Sequence, residues 1–482
     1  MKNKISQITA SATILLGLIF STSGCNQWFD VSPKTDVKAQ DLYKTENGYL
    51  SALAGLYVTM TKSEVYGSNL SFGLLDHMAQ IYDWLPKGDT DRAKIYTYNI
   101  DTPNDYNTKS LLASSWITSY NIIANANNLI KWLDQNGTAV LKNEQTRNMV
   151  RGEALAVRAY VHFDLLRGWG PIYKDEPTAL SIPYRVVADD SKLPLLSAQE
   201  IIKRILEDLN EARRLLSHEA ESKLIDMNAD RRCRLNYHAV NALLARVYCY
   251  AGDAPKAVMH AKEALDKCGL DLQVNNADDP AQYREALFAV NLNKMPDKVK
   301  SIFAENPKDI TALYHSTVQT FNALYETTGT ETEDIRAKSS GFIRFNDQGK
   351  VLSRKYIQNE EEIIPLIRIP EMYYILCEMS PLSEAAQHLN KVRNKRGFAT
   401  ASNVKINSEE ERIRELDKEY RKEFYAEGQY FFFLKRHAFK TFINCPVTPM
   451  GKEQYVFQLP DREKEYGWTI ESEQTKDSKA EK

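Results

Sequence analysis

Apolar side chains recur every three or four positions along much of the chain, and this spacing predicts amphipathic helices. In residues 47–62, for example, Leu50, Leu53 and Tyr57 fall on one helical face. Two further stretches have the same spacing, residues 110–133 and 146–166. The second is followed by a Gly-Trp-Gly-Pro sequence, which is predicted to end the helix because proline has no amide hydrogen to donate.

Two later helices carry a capping box, in which a serine caps the first turn and a glutamate three residues on returns a hydrogen bond. One begins at Ser197, with Glu200, and the other begins at Ser408, with Glu411. After Ser197 an apolar stripe advances by three and four residues through Ile202, Ile205, Leu209, Ala212 and Leu216. The helix after Ser408 is predicted to run to Glu427.

Two pairs of short helical stretches are predicted to form hairpins. Residues 236–251 and 255–265 are joined by a Gly-Asp pair and carry small residues where the helices would cross, a pattern that resembles a tetratricopeptide hairpin. A second, less regular pair covers residues 370–379 and 383–395. The predicted fold is therefore mainly α, with a helical-repeat scaffold over approximately residues 45–62, 110–266 and 370–436.

Two regions do not fit helical spacing, residues 69–108 and residues 266–365. The first is interrupted by glycine and proline at Gly73, Pro86, Gly88 and Pro103. The second is rich in predicted loops and has mixed periodicity. Long irregular stretches inside a domain often carry function, so a binding site is expected in these two regions.

The amino terminus has the three parts of a secretory signal. Lys2 and Lys4 give it a positive start, residues 8–20 are uncharged and mostly apolar, and small residues occupy positions 21–24. The apolar stretch is too short for a transmembrane helix, which needs roughly 20 residues to cross the hydrocarbon. Residues 1–24 are therefore predicted to be a signal peptide.

Cys25 directly follows the small residues, and this arrangement resembles the lipobox of bacterial lipoproteins, whose cysteine becomes the acylated first residue of the mature chain. Each acyl CH₂ buried in a membrane contributes about 0.8 kcal/mol, so lipidation of Cys25 would anchor the protein without a spanning helix. An ordinary signal peptide with an incidental cysteine is the alternative. Residues 25–44 contain proline and lack helical periodicity, so a tether is predicted there.

Composition excludes several classes of protein. Of the 482 residues, 43% are hydrophobic and 26% are charged, as in soluble globular proteins. The 62 Lys and Arg residues nearly balance the 64 Asp and Glu residues, and no long basic stripe is present, so nucleic acid is not predicted as a partner. The five cysteines after Cys25 lack C-x-x-C spacing and do not predict a disulfide framework or a zinc site. Cys249 and Cys377 are predicted to be core residues.

The usual motifs of catalysis are missing from the sequence. None of the eight histidines forms an H-E-x-x-H pair, and the chain has no G-x-S-x-G, P-loop or G-x-G-x-x-G motif. Neither a metal nor a cofactor is therefore predicted, and no catalytic residue is assigned. A glycosidase needs only two carboxylates about 5–10 Å apart, so a hydrolase using acids of residues 83–91 is left open. That segment can also be a solvated turn or a binding loop.

Short motifs spread in order over nearly the whole chain resemble those of the SusD/RagB family of Bacteroidetes outer-membrane nutrient-binding lipoproteins. They are FDVSPKT at 29–35, RAY at 158–160, FDLLRGWGP at 163–171, ARVY at 245–248, AGD at 251–253, RIPEMYY at 368–374, LNKVRNKRG at 389–397, and EF, EG, FF and LKR at 423–424, 427–428, 431–432 and 434–436.

The resemblance implies tetratricopeptide-like hairpins packed against an irregular, loop-rich half that carries the ligand site, all within one SusD-like domain at residues 45–482. It also implies a non-enzymatic protein that is anchored in the outer membrane, is expected to face the cell surface, and hands an oligosaccharide to a TonB-dependent transporter barrel. A peptide ligand is the first alternative. A tetratricopeptide scaffold that holds partner proteins, and a glycoside hydrolase, are further alternatives.

Sugars present flat C–H faces and a rim of hydroxyl groups, so a glycan site needs exposed aromatic rings beside polar side chains. The first irregular region contains both kinds of residue, and its predicted ligand contacts are Tyr82, Asp83, Trp84 and Tyr98. A second set is predicted from the later irregular region, Tyr314 and Tyr325. Each of these rings has local packing beneath a loop as its alternative role.

Overall fold

The protein is represented by a computed structural model, which describes residues 39–83, 94–95, 97–98, 106–189, 191–274, 279–303, 315–327, 333–339, 341–345, 349–357 and 362–463. Most of these residues are helical, as predicted. The α-helices of four or more residues are α1 (Glu46–Met60), α2 (Leu74–Met78), α3 (Tyr106–Trp132), α4 (Glu144–Trp169), α5 (Ala198–Leu215), α6 (Tyr237–Ala251), α7 (Ala254–Cys268), α8 (Met295–Phe303), α9 (Val318–Tyr325), α10 (Ile369–Met379), α11 (Leu382–Lys395), α12 (Glu409–Glu423), α13 (Gln429–His437) and α14 (Lys452–Tyr455).

The two predicted capping serines do start helices. Ser197 Oγ accepts a hydrogen bond from the Glu200 amide at 3.3 Å, and Ser408 Oγ accepts one from the Glu411 amide at 3.2 Å. Helix α12 ends at Glu423, four residues before the predicted end, because Ala426 and Gly428 both adopt positive φ. The chain turns there and continues as α13.

Both predicted hairpins form, and they pack on each other. Helix α6 ends at Gly252, whose φ of +79° lies in the left-handed region that favours glycine, and α7 follows directly. Helices α10 and α11 make the second hairpin, and α10 packs against α7. Further layers come from α3 against α4, α4 against α5, and α5 against α6. The tetratricopeptide-like arrangement of the helices is therefore confirmed.

The later irregular region contains five short strands: β1 (Ala286–Asn291), β2 (His315–Thr317), β3 (Ile343–Phe345), β4 (Lys350–Ser353) and β5 (Ile363–Arg368). Strands β1 and β5 pair antiparallel, with Ala286 opposite Arg368. The other three form an antiparallel sheet in the order β2-β4-β3. Helical spacing could not indicate these strands, because each has only three to six residues, and β1 and β2 pair with strands that are distant in sequence.

The chain divides into two compact units, residues 1–50 and residues 51–482. In the described part of the first unit, the rings of Tyr43 and Tyr49 lie in contact, with centroids 5.0 Å apart. All contacts discussed below lie within the second unit. There, Cys249 and Cys377 are buried free thiols, as predicted.

Charged side chains occupy the interior between the strands and the second hairpin. We call this set the buried ion-pair network, and its members are Arg336, Lys355, Arg368, Arg393 and Arg396 with Glu285, Asp334, Glu419, Glu423 and Glu427. Arg368, at the end of β5, lies 2.7 Å from Glu423 of α12. Arg396, just after α11, lies 2.7 Å from Glu285, just before β1. The network therefore fixes the short strands against the helical scaffold.

Candidate functional site

The two irregular regions meet at one place in the second unit. The Asp83 amide donates a hydrogen bond to the His315 carbonyl at 2.9 Å, and Ser316 Oγ donates to the Ile81 carbonyl at 2.8 Å. Residues 81–83 thereby lie along the edge of β2. We call residues 81–83 and 315–317 the loop junction. It brings together the two sequence regions in which a binding site was predicted.

The side chain of Asp83 holds the loop junction together. One carboxylate oxygen accepts from the Thr317 amide at 2.8 Å and also from the Thr317 hydroxyl, and the other accepts from the Thr320 hydroxyl at 2.5 Å. Thr317 is the N-cap of α9, so the carboxylate lies at the positive end of that helix, where negative charge is favoured. Asp83 therefore fixes the point at which the chain leaves the junction.

Two of the predicted ring contacts are buried, which corrects the expectation that they are exposed. Tyr82 is 0% exposed and donates to the Phe72 carbonyl at 3.1 Å. Tyr325 is 2% exposed and donates to the Lys422 carbonyl at 2.9 Å, and burial raises the pKa of its hydroxyl well above the usual value. Both rings lie against Tyr425, with centroids 6.1 and 6.2 Å away. Their partners lie far apart in sequence, so sequence spacing could not indicate the burial.

Tyr98 is half-buried, and its hydroxyl donates to the Met78 carbonyl at the end of α2. Its φ of +56° is unusual for a tyrosine. Burial raises the pKa of its hydroxyl well above the ordinary value, and Tyr455 and Cys445 act in the same direction. The hydroxyl is therefore neutral and serves as a hydrogen-bond donor to the backbone, while part of the residue is accessible to solvent.

Three predicted residues lie outside the described part of the chain: Trp84, Tyr314 and Cys25. Trp84 directly follows Asp83 in the sequence, and Tyr314 directly precedes His315. Each is thus the immediate sequence neighbour of a residue of the loop junction.

Two exposed apolar residues near the junction were not predicted from the sequence. Phe345, at the end of β3, is 43% exposed, and Val318, at the start of α9, is 38% exposed. The Phe345 ring meets the buried Phe321 ring edge to face at 6.0 Å, which joins β3 to α9. An apolar residue on an outer strand was the available signal, but the strand itself was not predicted.

Among the described residues, no three or more His, Cys, Asp or Glu side chains are grouped so as to hold a metal ion. In the same residues, the search for a helix long and apolar enough to cross a bilayer found none. Asp83, the only described acid of residues 83–91, has both carboxylate oxygens bonded to threonine groups, so its role there is to position the loops.

Two family models match the chain. One, described as "Starch-binding associating with outer membrane", matches residues 27–249, and the other, described as "SusD family", matches residues 297–482. The chain therefore belongs to the SusD/RagB family, and the resemblance found from its motifs is confirmed.

Curated relatives match over part of their length. A SusD-like protein of Bacteroides ovatus is 25% identical over 178 residues, which are 35% of this chain and 30% of that protein. A SusD-like protein of Formosa agariphila is 28% identical over 218 residues, which are 45% of this chain and 38% of that protein. The matches thus span about a third of these relatives.

Solved structures share the fold over most of the chain. A SusD superfamily protein of Bacteroides thetaiotaomicron superposes with a TM-score of 0.70 at 20% identity and covers 88% of this chain and 98% of its own. A SusD-like carbohydrate binding protein of Bacteroides vulgatus gives a TM-score of 0.68 at 17% identity, covering 88% and 96% respectively. At these identities the similarity establishes the fold.

Proposed function

We propose that the protein binds oligosaccharide at the outer membrane without changing it chemically, and passes it to a TonB-dependent transporter. The observation that carries this proposal is the match of residues 27–249 to a family described as starch-binding and outer-membrane-associated. The Bacteroides vulgatus protein named as carbohydrate binding shares the fold and supports the same assignment.

We place the binding site at the loop junction. Trp84 and Tyr314 directly adjoin the junction in the sequence, Tyr98 is a further aromatic residue that is partly accessible, and exposed Phe345 lies on the sheet that contains β2. Aromatic faces beside polar groups suit the C–H faces and hydroxyl rim of a sugar. A rigid scaffold below two loop regions is the usual way in which binding residues are presented.

Removing the ring of Trp84 or of Tyr314, which adjoin the junction in the sequence, is expected to weaken glycan binding. Trp84→Ala and Tyr314→Ala should each raise the dissociation constant about 30-fold, the effect of losing about 2 kcal/mol from an aromatic contact. Calorimetry with maltooligosaccharides, followed by a panel of other glycans, measures this. Tyr373→Ala is the matched control, because Tyr373 is a half-buried ring on α10 in the second hairpin.

Other outcomes would replace the proposal. Binding to a peptide panel with no glycan bound would assign a peptide ligand. New reducing ends after incubation with a bound glycan would assign a hydrolase. Full affinity in both ring variants would remove the loop junction as the site.

Membrane attachment is proposed to depend on Cys25. Cys25→Ser should release the mature protein from the outer-membrane fraction into the soluble fraction, because no acyl chain can then be attached. Fractionation with immunoblotting measures the distribution, and Cys233→Ser, which changes a cysteine of the folded chain, is the control. Membrane retention of Cys25→Ser would contradict lipid anchoring, and protease treatment of intact cells reports whether the anchored protein faces outward.

A further inference from the structure

A small cavity of about 30 Å³ lies inside the helical scaffold, between α4, α6, α10 and α13. Its charged lining is Arg167, Arg246, Arg436 and Glu371, and aromatic rings such as Phe432 form much of the remaining wall. A space of this size suits one occupant as small as a water molecule or a monatomic ion. The cavity lies among residues of the family motifs. None of the residues that line it belongs to the loop junction.

Two hydrogen-bond donors face this cavity without a partner among the described residues, Arg246 Nη1 and the Tyr250 hydroxyl. Arg246 is 5% exposed and Tyr250 is 7% exposed. The guanidinium of Arg246 is held from its other side, since Nε and Nη2 each lie 2.6 Å from Glu371 and Nη2 also donates to the Leu366 carbonyl at 2.7 Å. Nη1 is thus fixed in position, and although the Tyr160 side chain interacts with this guanidinium, Nη1 has no acceptor at hydrogen-bond geometry among the described residues.

Cationic groups predominate in the lining of the cavity, although each of them is paired with a carboxylate. Three guanidinium groups line it and only one carboxylate, that of Glu371, does so. The carboxylates that pair with the other two arginines, Asp164 with Arg167 and Glu378 with Arg436, are not part of the lining. The three pairs are close to neutral overall, so the preference for an anion depends on the hydrogen-bond donors that face the cavity and not on net charge.

We propose that this cavity binds a chloride ion. Chloride accepts hydrogen bonds and donates none, which matches two unpartnered donors, and it fits where sulfate, phosphate or a carboxylate ligand would not. The ion would connect Arg246 and Tyr250 of α6 to the arginines of α4 and α13. It would therefore stabilise the scaffold that carries the loop junction, independently of any sugar.

Bromide provides the direct test, because it replaces chloride and scatters anomalously. Crystals of the full mature chain grown in sodium bromide should show an anomalous peak within about 3.5 Å of Arg246 Nη1 and the Tyr250 hydroxyl, a hydrogen-bond distance lengthened for the larger ion. The melting temperature should also be about 2 °C higher in sodium chloride than in sodium gluconate at equal ionic strength.

Tyr250→Phe removes one donor at nearly constant volume and should abolish the difference between the two salts. Tyr425→Phe is the matched control, since Tyr425 is also fully buried but does not line the cavity, and it should keep the difference. Equal melting temperatures in both salts, or density for water without an anomalous signal, would overturn the proposal. A salt difference that persists in Tyr250→Phe would place the ion elsewhere.

Discussion

Glu423→Gln is expected to destabilise the protein by about 3–5 kcal/mol, the usual cost of removing one partner from a buried ion pair. Glu423 Oε1 accepts from Arg368 at 2.7 Å and from Arg396 at 2.8 Å, and Oε2 accepts from Arg336 at 3.0 Å and from Arg396 at 2.9 Å. Glutamine fills the same volume but is neutral, and its amide would point donor hydrogens at guanidinium groups. Buried cations would be left uncompensated.

The pKa of Glu423 is consistent with this central role. Burial alone would raise it, but Arg396, Arg368 and Arg336 more than offset burial and hold the pKa well below the usual value. The carboxylate is therefore charged at all physiological pH values. Its charge is available to the three guanidinium groups whenever the protein is folded.

Urea unfolding of Glu423→Gln measures the loss, and Glu415→Gln on the same helix is the matched control. Glu415 pairs with Lys418 at 3.3 Å and with Arg414 at 3.6 Å, and both partners are partly exposed. A pair of that kind contributes about 0.2–1 kcal/mol. An equally small decrease in the free energy of unfolding in both variants would show that the charge of Glu423 does not stabilise the fold.

Gly428→Ala should cost about 3 kcal/mol or more, because strain and a backbone clash add together. Gly428 has a φ of +74°, and a Cβ placed there would lie 2.3 Å from the Ser71 carbonyl oxygen. Its amide donates to Asp76 Oδ1 at 3.1 Å. Relief of the clash would move this amide away from Asp76, a fully buried carboxyl group whose pKa burial raises well above the usual value.

The control for Gly428→Ala is Gly252→Ala. Gly252 has a similar φ of +79°, but nothing lies within 4 Å of a Cβ built there. Only the left-handed backbone penalty of about 1–2 kcal/mol applies at that position. Thermal unfolding of both variants separates the cost of the backbone conformation from the cost of the clash with Ser71. Equal losses of unfolding free energy in the two variants would show that the clash contributes nothing. The change at Gly428 should also weaken glycan binding, because Ser71 and Asp76 precede the loop junction in the same segment.

The helical part of the fold could be predicted from local information. Helix spacing, the two capping serines and the glycine after α6 are properties of a few neighbouring residues, and the structure reproduces each of them. The family motifs could also be read without coordinates. The physical reason for these motifs could not be predicted from the sequence. Arg368, Arg396 and Glu423 belong to three different motifs and meet only in the buried ion-pair network.

The candidate site was predictable only at the level of regions. Both irregular segments were identified, and the loop junction joins them through Asp83 and β2. Which rings face solvent was not predictable, because Tyr82 and Tyr325 are buried by Tyr425, which comes from a different part of the sequence. Phe345 was missed for a different reason, because β3 has only three residues and is too short to show the alternating pattern of a strand.

The sequence by itself determined the helices and the membership of a family, since helix spacing and each family motif depend on residues close together in the chain, and it also predicts lipidation at Cys25. The tertiary structure decided the exposure of individual rings, the pairing of the buried charges and the cavity beside Arg246. Burial and electrostatic pairing are set by which distant segments come into contact, and local spacing carries no information about those contacts.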